Sequence, residues 1–392
     1  MTGVVVVGTG IAGVRAAEAL SASGYRGEIT LLGDEAPVYR PSISKEALTL
    51  SSPRSFPMPM RQVDNAFTWK LGSTVQGVDL AQQTLTYRDS AGSECVLGFE
   101  ALVIASGLRP RKLPVAGPAA GRYFLRTLAQ AEELAHQLQA GARITIVGSG
   151  FIGCEVAAAA QARGCAVTVI SPELVPLASA VGQTIGQIVT RSHLERGVQF
   201  RLGQTVMEYR GDSSIREVVL DDGHVIQTDL VLEAVGSQPN VDWLTGQGLE
   251  TSDGVLTDGH LRVLGTTTVV FACGDVARYP NALYSADPRR IEHWTCAADT
   301  GTFAGKSLGL MLEGVNELPL FAALPAFWSD QYDMQIQSFG IPQLATGHTV
   351  VELNDDGSCI IECTDTHGLV AVVGINRTAE LARYRKSLNS RL

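Results

Sequence analysis

The sequence predicts an α/β chain in which one parallel-sheet unit occurs twice and a small α+β domain follows. Three observations predict it. A short β-branched run, a Gly-x-Gly-x-x-Gly turn and an Ala-rich stretch occur in that order near Val4 and again near Arg143. Behind each copy a hairpin turn and a hexapeptide recur together, about 130–140 residues apart. From Leu318 onward the pattern changes to short alternating segments separated by turn signals.

Val4–Val7 is an unbroken β-branched run, the mark of a parallel strand buried on both faces. It leads into Gly8-Thr9-Gly10-Ile11-Ala12-Gly13, then a helical stretch over Val14–Ala22, then a second strand over Glu28–Leu32 that ends in Asp34 and Glu35. The second copy runs as strand Arg143–Val147, turn Gly148-Ser149-Gly150-Phe151-Ile152-Gly153, helix Cys154–Arg163 and strand Ala166–Ile170. Asp89-Ser90-Ala91-Gly92 and Asp221-Asp222-Gly223-His224 read as hairpin turns. The matching hexapeptides are Ala105-Ser106-Gly107-Leu108-Arg109-Pro110 and Ala234-Val235-Gly236-Ser237-Gln238-Pro239. A strand over Thr268–Phe271 precedes Ala272-Cys273-Gly274-Asp275, and the last segment closes on a basic helix over Thr378–Leu388.

At 392 residues, two or three domains are expected. Hydrophobic residues make up 45% and charged residues 18%, the balance of a folded globular protein. A net charge of −10 argues against nucleic acid or an anionic membrane as partner. Met1–Gly3 runs straight into a strand, without basic leader, cleavage site or bilayer-length apolar run, so the cytoplasm is the expected address. Seven scattered cysteines with no C-x-x-C fit reduced thiols. Cys359 and Cys363 would point the same way from one strand, roughly 13 Å apart by strand rise, as ordinary buried thiols.

The glycine turns carry the chemistry. Glycines let the backbone turn tightly and approach a pyrophosphate lying on the helix N-terminus, so each unit is a Rossmann-like dinucleotide-binding fold. In the first, Gly8, Gly10, Ala12 and Gly13 form the turn, and Asp34 or Glu35 would hydrogen-bond a ribose. In the second, Gly148, Gly150, Ile152 and Gly153 form the turn, but Ile170 is followed by Ser171, Pro172 and Glu173. With no arginine just beyond that strand to hold a 2′-phosphate, NADH is favoured over NADPH. Asp275, after a strand and a glycine, would bind the ribityl hydroxyls of FAD, cap a helix, or do both.

Further marks are Tyr39-Arg40-Pro41-Ser42-Ile43-Ser44-Lys45, Leu125-Arg126-Thr127-Leu128, Gly153-Cys154-Glu155, Gly274-Asp275-Val276-Ala277, Glu292-His293-Trp294-Thr295 and Phe327-Trp328-Ser329-Asp330-Gln331. With them the sequence resembles the FAD-dependent ferredoxin reductases of bacterial oxygenase systems, the putidaredoxin-reductase and biphenyl-dioxygenase-reductase type, and more distantly apoptosis-inducing factor. The resemblance runs from Val4 to about Arg385. It departs from the usual pattern at Ser106 in place of Thr, at Ser42 in place of a second proline, and at Ser171 in place of an acid.

That resemblance implies a glutathione-reductase-like architecture, with residues 1–113 and 240–317 around FAD, 114–239 around NADH and 318–392 as the α+β domain. It implies that Arg40 and Arg126 contact FAD, with Ala105 and Gly107 beside it and the Val75 backbone at the adenine. Lys45 would sit beside the flavin ring, close to Glu155, where the nicotinamide enters with Gly236 nearby. Glu292 and His293 would lie near the nicotinamide, His293 and Trp294 against the flavin, and Trp328 at the pocket border; Lys45, Glu155 and Trp294 are the catalytic candidates. Read alone, Lys45 is more often a solvated lysine on a first helical turn, Glu155 could serve only to complement a helix N-terminus, and a lone Trp is more often a core aromatic.

The electron exit follows from an absence. A disulfide reductase passes electrons through a C-x4-C pair just after the first acid, yet Arg40–Leu48 contains no cysteine, which also excludes the single redox cysteine of thiol-dependent oxidases and peroxidases. Electrons must leave FAD directly. The expected acceptor is a small iron–sulfur ferredoxin serving a P450 or Rieske oxygenase, docking near Arg289 and Arg290, with Arg377, Arg383, Arg385 and Lys386 as a further basic group or merely a solvated face. A rubredoxin or other small acceptor, or a slow NADH-binding redox sensor, are the alternatives. A monomer or homodimer is expected.

Overall fold

The computed structural model describes residues 3–49, 56–61, 67–315 and 317–390; Met1 and Thr2 of the expected start lie outside them. The expected α/β plan is present. The first parallel sheet has the spatial order Val270–Ala272, Ala101–Ile104, Val4–Val7, Ile29–Gly33 and Thr68–Leu71. Val4–Val7 lies at its centre, in register with Ile29–Leu32 on one side and Ala101–Ile104 on the other, and all four valines are buried. The edge strand Val270–Ala272 comes from far along the chain, so the segment ending in Asp275 returns to the first unit after the second is complete.

The second parallel sheet repeats this plan in the order Gln199–Leu202, Ala166–Ser171, Arg143–Val147, Leu230–Glu233 and Arg122–Tyr123. Each sheet carries a three-stranded antiparallel companion, Thr74–Asp79 with Thr84–Arg88 and Glu94–Gly98, and Val206–Arg210 with Glu217–Leu220 and Val225–Gln227. The hairpin aspartates act as turn formers: Asp89 Oδ1 accepts from the Ala91 and Ser93 amides, and Asp222 Oδ1 from that of His224.

The duplication extends to the glycine turns. Gly8 and Gly148 take φ of +122° and +110°, and a Cβ on either would lie 2.1 Å from the Ala105 carbonyl oxygen or 2.2 Å from that of Ala234. Only glycine lets the turn pass so close to the hexapeptide behind it. The two hexapeptides also pair with each other as an antiparallel ribbon, Leu108 opposite Pro239, Arg109 opposite Gln238 and Pro110 opposite Ser237. The Asn240 amide donates to the Gly107 oxygen and the Arg111 amide to that of Gly236, both at 3.0 Å. Ser106 belongs to this junction, donating from Oγ to the Asn240 oxygen at 2.7 Å.

The last segment forms a five-stranded antiparallel sheet in the order Ala326–Gln331, Met334–Gly340, Gly368–Ile375, Cys359–Asp365 and Gly347–Leu353. One face packs Ile360 and Val372 against Leu381 and Leu388 of the terminal helix Thr378–Asn389. The other packs Phe327, Ile336, Ile361 and Val373 against Cys154, Leu177, Ile185 and Val189 of the second unit. Cys359 and Cys363 share that inward face as free thiols, and burial pushes both up to about 11. Among the described residues no helix is long and apolar enough to cross a membrane.

The helix Trp294–Leu312 is what brings the late chain to the first glycine turn. It lies along Ile11–Ala22 at a separation only glycine permits, since a Cβ on Gly301 would stand 2.2 Å from the Ala12 oxygen and one on Gly305 2.1 Å from that of Ala16. Backbone cannot yield as a flexible side chain would. Substituting Gly305→Ala is therefore expected to lower stability by about 1–3 kcal/mol through overpacking. Urea unfolding should show a lower midpoint at unchanged slope.

Candidate functional site

One cleft opens where the three parts of the chain meet. Its walls include Gly10, Ile11, Ala12, Ala105 and Gly107 from the first unit, Ile152 and Glu155 from the second, and Trp328 from the last. Of the other expected residues, Arg40, Lys45, Arg126, Asp275, Glu292, His293 and Trp294 also line it. Gly8 and Gly13 support the turn from behind. Asp34 and Glu35 follow the end of strand Ile29–Gly33, Asp34 exposed and Glu35 paired with Arg40 at 2.5 Å. Val75 sits in the companion strand Thr74–Asp79 and is not part of the cleft wall, although Ser73 before it ties to the Gly33 oxygen at 3.0 Å.

At the centre of the cleft, Lys45 Nζ lies 3.2 Å from Glu155 Oε1, with the lysine side chain 14% and the carboxylate 6% exposed. Lys45 is thus an inward-turned, paired lysine, and its Nζ also donates to the Pro41 oxygen at 3.3 Å. Glu155 lies in the second turn of the helix Phe151–Ala162, carried inward by the buried Gly153–Ala160 face. The Ser329 hydroxyl donates to its Oε1 at 2.6 Å and the Ser44 hydroxyl to its Oε2. Burial pushes the carboxyl above its ordinary range, while Lys45, then Ser329 and Ser44, pull it back.

Aromatic rings also line the cleft. Trp294 begins the helix Trp294–Leu312 and meets Tyr39 edge-on at 5.4 Å and Trp328 at 6.0 Å. His293, the residue before that helix, stacks on Phe327 at 4.7 Å, and Phe327 meets Phe151 at 5.1 Å with the rings tilted by 57°. Burial holds the His293 imidazole down at about 4, so it is neutral at neutral pH. At the other end, Arg126 pairs with Asp275 at 3.1 Å, and Arg40, whose guanidinium donates to the Arg126 oxygen, is pushed below its usual range by burial and then by Arg126.

The residues present fit FAD. Trp294 Nε1 is buried with no hydrogen-bond acceptor among the described residues, which suits it to the polar edge of a flavin. Among the described residues a Cβ on Gly10 would meet nothing within 4 Å, which leaves the start of the helix Ile11–Ala22 with room for a phosphate. Arg40 and Arg126 line the same cleft. The second turn is built alike, with open space over Gly150 and Gly236. There the buried Ser171 hydroxyl is engaged by Ser149 at 2.8 Å and by the Glu173 amide at 3.2 Å, which orders the bend that presents Glu173. Glu292 is held by Ser237 at 2.7 Å and Arg290 at 2.8 Å.

Ser44, Ser329, Phe151 and Phe327 went unassigned in the sequence. A signal for Ser329 existed. Alternation in the strand Ala326–Gln331 puts Phe327, Ser329 and Gln331 on one buried face, and polar residues sharing an inward face with a phenylalanine demand partners. Ser44 is visible only once the second unit brings Glu155 to it.

His293 also sets a stability expectation. Its proton affinity is lower folded than unfolded, so between pH 6.5 and about 4 the unfolded chain binds more protons and stability falls as pH falls. His293→Gln should remove about 1–3 kcal/mol of that acid loss, read as the difference in urea-unfolding free energy between pH 7 and pH 4.5.

Comparison with known proteins agrees with this geometry. Residues 2–301 match the family described as pyridine nucleotide-disulphide oxidoreductase. Residues 326–392 match the reductase C-terminal domain. The chain is 32% identical over 393 residues to rhodocoxin reductase of Rhodococcus erythropolis, covering 98% of this chain and 89% of that protein. It is 31% identical over 395 residues to the ferredoxin–NAD(+) reductase component of the p-cumate 2,3-dioxygenase system of Pseudomonas putida, covering 99% and 93%. Among solved structures, the covalent putidaredoxin reductase–putidaredoxin complex superimposes with a TM-score of 0.88 at 28% identity, covering 100% of this chain and 94% of that one. The chain therefore belongs to the pyridine nucleotide-disulphide oxidoreductase family and ends in its reductase C-terminal domain.

Proposed function

We propose that the protein passes electrons from NADH through FAD, one at a time, to a small iron–sulfur ferredoxin that supplies a P450 or Rieske oxygenase. The observation that carries this reading is a cleft on which both glycine turns converge and whose walls, among the described residues, hold a Lys–Glu pair and no cysteine. Among the described residues every cysteine is a free thiol, and all but Cys95 are buried. Cys296, in the first turn of the helix Trp294–Leu312, is pushed up to about 12 by burial and is poorly suited to exchange chemistry. The relatives named above, one a ferredoxin reductase component and one solved in complex with putidaredoxin, support the same acceptor class.

FAD, when bound, supplies the conversion of a two-electron hydride into single electrons. The chain's own residues position and insulate it. In this reading Lys45 is held at the ring by Glu155, and the Trp294, Trp328 and Phe327 wall excludes water. Neutral His293 offers a polar edge without adding charge, and Arg126 with Asp275 orders the ribityl end. We assign residues 1–113 with 240–317, 114–239 and 318–392 as the three domains, and place the protein in the cytoplasm on the strength of its reduced thiols.

For ferredoxin docking the two arginines differ. Arg290 is 13% exposed and bound to Asp253 at 2.7 Å and Glu292 at 2.8 Å, whereas Arg289 stands exposed. Arg377 is likewise occupied by Glu352 and Glu380, which leaves Arg383, Arg385 and Lys386 as the exposed basic residues of that face.

Anaerobic stopped-flow mixing of the holoprotein tests the reading. NADH should bleach the flavin at least tenfold faster than NADPH, and a [2Fe–2S] ferredoxin should then reoxidise it rapidly. Slow bleaching with a stable charge-transfer band that neither ferredoxin nor rubredoxin discharges would overturn it in favour of a sensing role. Cys296→Ser should retain turnover within about twofold, since no thiol lies on the electron path.

A further inference from the structure

Behind Glu155 a line of buried polar side chains runs from the cleft through the last domain to the second unit. Gln331 Nε2 donates to Ser329 Oγ at 3.1 Å, Gln331 Oε1 faces His193 Nε2 at 3.0 Å, and Tyr332 Oη faces His193 Nδ1 at 3.2 Å. Ser329, Gln331 and His193 are all fully buried. The line ends near solvent, where the Arg196 guanidinium lies 4.5 Å over the Tyr332 ring and pairs with Asp333 at 2.7 Å.

The orientation of the Gln331 amide sets its direction. With its nitrogen turned to Ser329 and its oxygen to His193, the neutral imidazole donates from Nε2 and accepts at Nδ1 from the Tyr332 hydroxyl. Because Gln331 donates to Ser329, the serine proton is free to point at Glu155. The four donors Tyr332, His193, Gln331 and Ser329 therefore all point toward the Glu155 carboxylate, which accepts at the end of the line. Aligned dipoles of this kind polarise one another and favour negative charge at their end. Burial keeps His193 below the ordinary imidazole range and pushes the Tyr332 phenol up to about 12, so each stays in the neutral form that the direction requires.

We propose that Ser329, Gln331 and His193 are positioning residues that keep Glu155 charged and aimed at Lys45, so that the last domain sets the charge state of the pair beside the nicotinamide entry. This rests on the proposed role of the Lys45–Glu155 pair. The groups facing Glu155 are Lys45 and Ser44 from the segment before helix Glu46–Thr49 and Ser329 from the last domain, with the neighbouring Cys154 thiol buried and neutral. Those facing His193 are Gln331 and Tyr332, with Arg196 on its own chain segment and Phe200 edge-on at 6.0 Å. Elsewhere in the last domain Arg377 serves Glu352 and Glu380, outside this line.

The test uses FAD-loaded protein carrying Ser329→Ala, Gln331→Leu, the conservative Ser329→Thr, or Glu155→Gln. Infrared difference spectra across pH follow the protonated-carboxyl stretch that disappears in Glu155→Gln, a readout independent of turnover. The Glu155 titration is expected to move up by about one pH unit in Ser329→Ala, by less in Gln331→Leu, and to return in Ser329→Thr. NADH reduction at the native midpoint pH should then be about fivefold slower in Ser329→Ala, the loss of ionised form that one unit produces. An unchanged infrared titration in Ser329→Ala overturns the proposal, and that variant removes a single oxygen, so it decides even if Gln331→Leu does not fold. If instead Glu155→Gln is reduced by NADH at the native rate at every pH, the role given to the Lys45–Glu155 pair fails, while the infrared shift still decides whether the line positions the carboxylate.

Discussion

A carboxylate removed from water must be charge-paired and hydrogen-bonded, and Glu155 meets that requirement only because three separate parts of the chain converge on it. Lys45 and Ser44 come from the first unit, Glu155 from the second, and Ser329 from the final sheet. None of these segments could leave without stranding a buried charge. The placement of everything else in the cleft follows: Phe327 and Trp328 precede Ser329 on the same strand, and Phe151 opens the helix that carries Glu155. Aromatic walls and ion pair are thus consequences of one fixed meeting point.

How that meeting point is reached is a matter of backbone clearance. Gly8 and Gly148 let each turn pass within van der Waals range of a carbonyl behind it, while Gly301 and Gly305 bring the late helix onto the first. The start of that helix, with His293 just before it, then lines the same cleft as Lys45. Side chains without Cβ atoms do the structural work, and side chains with rings and charges are thereby free to face the cleft.

Much of this was legible in the sequence. Repeated turns, hairpins and hexapeptides announced two dinucleotide folds, because backbone geometry leaves residue-specific marks. The inward turn of Lys45 and the stacking of His293 on Phe327 were not legible from spacing, since both depend on partners more than 30 residues away in sequence. Nor did the residues around Arg290 reveal that Asp253 and Glu292 would occupy it. Local rules mark where a chain turns; which charges remain free is decided by tertiary packing. Ser329 and Gln331 stand between these cases, their burial readable from strand alternation and their partners not.

The ribbon joining the two hexapeptides has the form of a symmetric contact. The fourth residue of one faces the sixth of the other, fifth faces fifth, and the hydrogen bonds from Arg111 and Asn240 are equivalents of each other. That is the reciprocal pattern of an isologous interface, with a local two-fold axis passing between Arg109 and Gln238. Here both halves lie on one covalent chain. The association is therefore intramolecular and does not weaken on dilution, unlike a dimer with the same contact. It also releases the halves from identity, so one can keep an acid after its second strand while the other carries Ser171.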